Sequence, residues 1–325
     1  MECYIAKEFF PKFELLVNEA KNNIFSSNTS ELLAIFQLFL ALPIKTNSPL
    51  VENDVQIRAL YNDKNDTSFT KQIFHNAIKN GKLKFDNLEY LERTVSNFSA
   101  YYFLNNSNAE MISEENGLVF KGNKFQCESF YDDATITNAL ISNSWEPVKA
   151  GIPPVNSLLI IDSYIFGAPF ERKLNSLIEF IKLYKGSLKI PFHLTILFSY
   201  ESRGNSQCTP IHVNKAFDLL SSLPNMEIQF YLDNNIPRHD RFIFTNYTSG
   251  NIGLPFADRD TAFSQNFLGR ENKSDKISAN YNQYKKDLLF WYGFLKKIPA
   301  KMINTQTIYQ TKKFTNRIFD PYLEQ

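Results

Sequence analysis

Little in this 325-residue chain is in surplus, and each shortage excludes something. It has three cysteines, Cys3, Cys127 and Cys208, far apart and odd in number. That pattern builds no disulfide framework and no zinc-type ligand spacing, and the expected compartment is a reducing, cytoplasmic one. Net charge is nearly absent: 35 Lys and Arg stand against 34 Asp and Glu, a balance of +1. No whole-chain pull toward nucleic acid or membrane follows. Apolar runs are short. The longest, Leu32 to Leu42, is interrupted by Gln37 and stopped by Pro43. It reads as a buried helix and is too short for a transmembrane segment. The start, MECYIAKEFF, has no signal-peptide pattern. No internal repeat and no low-complexity tract is visible. Neither a cofactor nor a metal is implied.

Aromatic residues are plentiful, with 30 Phe and 16 Tyr, and hydrophobic residues make up 43% of the chain. That supports substantial cores in a globular protein. The charge is unevenly spread. From Gly151 onward there are 21 Lys and Arg against 15 Asp and Glu. A basic C-terminal half points toward a polyanionic partner, although imbalances of this size are common.

The two halves also differ in rhythm. Residues 1–150 read as a mainly helical domain of unknown role, with helices expected over 12–23, 31–42, 69–79 and 87–104. VQIRALY, Val55 to Tyr61, is a candidate strand, and LVFKGNKFQC reads as a small hairpin turning at Gly122-Asn123. DATITNALISNSW is a further short helix. EPVKAGIPPVNS, Glu146 to Ser157, is rich in proline and glycine and marks a connector. Residues 151–325 then read as an α/β domain. LLIID, FHLTILFSY, MEIQFYL and DRFIFTN are apolar strand patterns, with helical spacing between the first three. These strands are expected to share one sheet, with helices flanking it.

Chemistry concentrates at the fourth strand, in PRHDRFIFTN. Side chains two apart on a strand share a face, so His239 and Arg241 are expected together. The spacing His239-x-Arg241, four residues, Asn246, six residues, Gly253 resembles the signature of the phospholipase D superfamily. That signature is His-x-Lys, four residues, Asp, six residues, then Gly-Ser-x-Asn. The chain is also similar to a degenerate branch carrying HDR and an earlier Asp-x-Tyr, here Asp162-Ser163-Tyr164. The resemblance covers the C-terminal half only.

It implies a phospholipase D-like fold and a set of roles. His239 would be the nucleophile that forms a phosphohistidine. Arg241, with Gly253 and Arg238, would bind phosphate, and Asn246 would take the aspartate position. Asp162 and Tyr164 would support them. The departures are Arg241 for lysine, Asn246 for aspartate, and Leu254 and Phe256 for polar positions. Only one motif is present, because His75, His193 and His212 lack a Lys or Arg two residues on. Three readings follow. The leading one is a degenerate site recognising a phosphorylated ligand or nucleic acid, in the bacterial-defence setting typical of single-motif relatives. The second is an active, metal-independent phosphodiesterase or nuclease completed as a homodimer. The third is an interaction scaffold without a ligand. The C-terminal stretch adds a basic, aromatic helix around Tyr281, Tyr284, Leu288, Trp291 and Leu295.

Overall fold

The computed structural model describes residues 2–22, 28–63, 67–89, 100–104, 108–118, 120–121, 154–200, 208–236, 241–252, 263–267, 274–301, 308–312 and 314–319. It is a mixed α/β protein with two sheets, and it divides into two compact units. The boundary expected at 150/151 lies outside the described residues.

The first unit combines helices with a parallel sheet that the sequence did not announce. It holds a five-stranded sheet of β1 (Cys3–Ile5), β2 (Ile44–Thr46), β3 (Leu83–Phe85), β4 (Tyr101–Phe103) and β5 (Phe120–Lys121). The order is β3-β2-β1-β4-β5 and every pairing is parallel. Helices α1 (Phe9–Asn22), α2 (Asn28–Ala41), α3 (Asp54–Asn62) and α4 (Phe69–Lys79) fill the first connections; α5 (Ala109–Asn116) follows β4, and its residues from Glu114 onward belong to the second unit. Phe9, Phe13, Phe39 and Phe103 pack together at ring separations of 4.9–5.9 Å. This cluster joins two helices to β4.

The strand expected at Val55–Tyr61 is α3 instead. Asn53 caps it by accepting from the amides of Val55 and Gln56, and none of its residues is buried. The helix expected to reach Leu104 gives way to β4. Of the hairpin expected over 118–127, only β5 is described, and it pairs in parallel with β4; the hairpin's second strand lies outside the described residues. Its turn and the helix expected at 133–145 lie outside the described residues.

The second unit matches expectation more closely. β6 (Ser157–Ile161), β7 (Phe192–Phe198), β8 (Met226–Leu232) and β9 (Arg241–Thr245) share one sheet. It is completed by β10 (Thr248–Ile252), β11 (Phe263–Phe267) and β12 (Ile308–Gln310), in the order β11-β10-β9-β6-β7-β8-β12. β6, β7 and β8 are parallel, while β9 runs antiparallel to β6. All residues of β6 and β7 are buried, as continuous apolar strands require when both faces are covered.

Helices α6 (Phe170–Lys185) and α7 (Pro210–Ser221) make the crossovers. Thr209 caps α7 by accepting from the His212 amide, and Pro210 takes its first turn. Helix α8 (Ser274–Lys301) buries Tyr284, Leu288, Trp291 and Leu295, as the spacing predicts. Phe242 lies 5.9 Å from Trp291, and the Tyr284 hydroxyl donates to the Thr245 carbonyl at 2.8 Å. These contacts seat α8 against β9.

The chain's last described segment is stitched to the sheet. Asn316 donates to the Leu158 carbonyl and to Thr195, and Gln229 donates to the Phe314 carbonyl. His193 and Glu227, in register on β7 and β8, meet Lys312 and Arg317 there. Among the described residues no helix is long and apolar enough to cross a membrane.

Candidate functional site

In a parallel sheet the carboxyl ends of the strands collect functional groups, because the following loops open there. Asp162 directly follows β6. The register pairs Ile161 with Phe242, so Asp162 faces Arg241 as the next cross-strand pair. The Arg241 Nε donates to Asp162 Oδ1 at 3.3 Å. The Tyr164 amide donates to the same oxygen at 2.8 Å, closing a turn after the strand. The Tyr164 ring lies beside the Arg241 guanidinium, 5.7 Å from its centroid, within reach of a cation–π contact. Three of the residues expected at the site are therefore together: Asp162, Tyr164 and Arg241.

Their environment is unequal. The Asp162 side chain is fully buried, while Arg241 keeps 16% of its side chain exposed. Asp162 Oδ2 has no hydrogen-bond partner among the described residues. Burial pushes the Asp162 carboxyl above its ordinary value, and Arg241, the Tyr164 amide and Lys173 pull the other way.

Lys173 was not expected from the sequence. It sits at the start of α6, is 2% exposed, and donates from Nζ to the Tyr164 carbonyl at 2.9 Å. A lysine in the first turns of a helix reads as solvated, so no pattern marks it. It also opposes the burial that drives the Cys208 thiol up to about 12. At the same sheet edge, Asn234 accepts from the Ser199 hydroxyl and the Tyr200 amide. Asp233 accepts from the Asn235 amide. These bonds close the ends of β7 and β8.

Asn246 is not part of this cluster. The register puts it opposite Ser157, at the other end of β9. It is five residue steps along the strand from Arg241, roughly 17 Å. Its Oδ1 accepts from the amides of Asn156 and Ser157 at 2.9 and 3.0 Å, and its Nδ2 donates to Asn156 Oδ1 at 2.9 Å. The polar atoms of Asn246, expected at the catalytic position, bond the entry of β6 and do not join Asp162, Tyr164 and Arg241.

His239, Arg238, Gly253, Leu254 and Phe256 lie outside the described residues. The other histidines are elsewhere. His75 stacks on Tyr61 in the first unit, and His212 stacks on Phe170. The His193 Nδ1 accepts from the Arg317 amide, so its proton is on Nε2, facing Glu227 at 3.2 Å. Burial, Arg317 and Lys312 lower its pKa to about 3. Among the described residues no group of His, Cys, Asp and Glu could hold a metal. Comparison with protein-family models and with curated proteins finds no match to this chain.

Proposed function

We propose that the second unit is a degenerate phospholipase D-like domain that recognises a phosphate-containing ligand, nucleic acid being the leading class, through Arg241. One observation carries the reading. Arg241 opens β9 at the carboxyl edge of β6–β8 and is held there by a buried carboxylate. A guanidinium fixed at that edge suits phosphate, whose oxygens match its forked donors. The His239-x-Arg241 spacing supports the same reading from sequence. The basic excess after Gly151 is the charge sign that a polyanion requires.

The test is fluorescence anisotropy with labelled single- and double-stranded DNA over a salt series. Wild-type affinity should fall steeply with salt, and Arg241→Ala should weaken it at least tenfold. Failure of the wild type to bind any polyanion at low salt would leave the interaction scaffold as the better account.

The location of Asn246 favours keeping a second reading, an active phosphodiesterase. An uncharged residue in the aspartate position counts against catalysis only if it touches the reacting histidine. Asn246 lies at the far end of its strand from Arg241, its oxygen bonded to the entry of β6, which weakens that objection. Catalysis would still need a second histidine near the phosphorus, supplied by a second copy of the chain. Cleavage of DNA, RNA or a generic phosphodiester in chelator, lost in His239→Ala, would promote this reading over the binder.

A further inference from the structure

Asp162 and Arg241 are not equal partners. The carboxylate is fully buried and the guanidinium is partly exposed. Asp162 is also anchored without Arg241, because the Tyr164 amide holds Oδ1 at 2.8 Å, a shorter bond than the 3.3 Å to Nε. A second cation, Lys173, acts on the same carboxylate from α6 and grips the Tyr164 carbonyl at 2.9 Å. The turn at 162–164 is thus fixed by its own amide and by Lys173.

We propose that Asp162 is a built-in stand-in for the ligand's phosphate: it holds Arg241 in place, and an incoming phosphate displaces it from the guanidinium. This deepens the phosphate reading and rests on it. A carboxylate and a phosphate beside one guanidinium repel each other, and the repulsion is strong where water is excluded. Lys173 and the Tyr164 amide offset part of the displaced carboxylate's charge, which lowers the cost of the exchange without cancelling it. Among the described residues Oδ2 has no hydrogen-bond partner, so the carboxylate meets Arg241 through one oxygen only. Asp162 then lowers affinity for weak anions while keeping Arg241 ordered.

The experiment measures inorganic pyrophosphate and a labelled oligothymidylate against wild type, Asp162→Asn, Arg241→Ala and the double variant. Pyrophosphate reports a terminal phosphate and the oligonucleotide a backbone diester. Asp162→Asn keeps an oxygen for the Tyr164 amide, and Asp162→Ser serves if it does not fold. The expected result is at least fivefold tighter binding in Asp162→Asn, abolished in the double variant. Binding by Asp162→Asn alone, with the wild type silent, also supports displacement. Equal or weaker binding in Asp162→Asn, with the wild type competent, overturns the stand-in and leaves the phosphate reading intact. A gain that survives removal of Arg241 overturns it as well, because the effect would then be one of general charge. Binding by none of the proteins overturns both.

Discussion

Asn246 and Asn156 are joined side chain to side chain at 2.9 Å, and the same Asn246 accepts the Asn156 and Ser157 amides. One buried side chain therefore satisfies two backbone donors at the start of β6 and locks β9 to it. Asn246→Ala should strand both amides, at roughly 2–4 kcal/mol of stability. Asn246→Asp keeps the one oxygen that accepts both amides but turns the other oxygen toward Asn156 Oδ1, and should cost less. Neither change should alter phosphate binding, because Arg241 is at the other end of the strand. Urea midpoints together with binding isotherms check this; a change in affinity without a change in midpoint would contradict it.

The same corner sets a demand on Gly117. Its φ is +59°, and a Cβ there would lie 2.3 Å from the Val155 carbonyl oxygen and 2.8 Å from the Asn156 nitrogen. Asn156 also donates to the Asn116 carbonyl at 2.9 Å, tying this turn to β6. Gly117→Ala should lose at least about 2 kcal/mol, from left-handed strain plus the clash. A thermal unfolding midpoint close to wild type would show that the turn relaxes.

These contacts also explain what the sequence could and could not announce. β6 to β9 were legible because each is an apolar run long enough to read, SLLII and FHLTILF above all. β1 to β4 are three residues each, too short to show any period, so their segments read as helix or loop. Asp162 and Arg241 were both legible as strand-end residues. Their pairing was expected only as one option, because it depends on a register set 79 residues apart. Asn246 matched a motif position, yet its bonds depend on Asn156, 90 residues away. Motif spacing gives the order along a strand and does not say which end of it holds the chemistry.

His193 makes stability depend on pH with a definite sign. In the folded chain its pKa is about 3, against an ordinary 6.5. Between these values the unfolded chain binds a proton that the folded chain refuses. Stability from this group is complete above pH 6.5 and is lost as pH falls toward 3, by at most about 1.4 kcal/mol per unit. Protonation would also turn an Nδ1–H toward the Arg317 amide, which donates there now. The stability difference between wild type and His193→Gln, from urea titrations, should therefore grow from pH 4 to 6.5 and then level off. A flat difference would mean that the imidazole titrates normally.

Arg241 gives the opposite slope. Burial raises the Asp162 carboxyl, so Asp162 favours the folded state most when protonated. Its contribution is greatest below the ordinary carboxylate value and is lost as pH rises through the folded pKa. Arg241 opposes that loss more strongly than the other charges acting on the carboxylate. Removing it leaves a fully buried carboxylate with, among the described residues, the Tyr164 amide and the nearby charge of Lys173. Arg241→Ala should then be destabilised more at pH 7.5 than at pH 4.5, because at the higher pH the folded chain must either carry an under-compensated charge or take up a proton. Breaking a buried pair from one side costs about 3–5 kcal/mol, and the partial exposure of Arg241 puts the expected loss at or below the lower end at neutral pH. Adding Asp162→Asn to Arg241→Ala should restore most of it, since the amide carries no charge to compensate. If the double variant is no more stable than Arg241→Ala at pH 7.5, the carboxylate is not the source of the loss, and the pair contributes through packing of the guanidinium against Tyr164 instead.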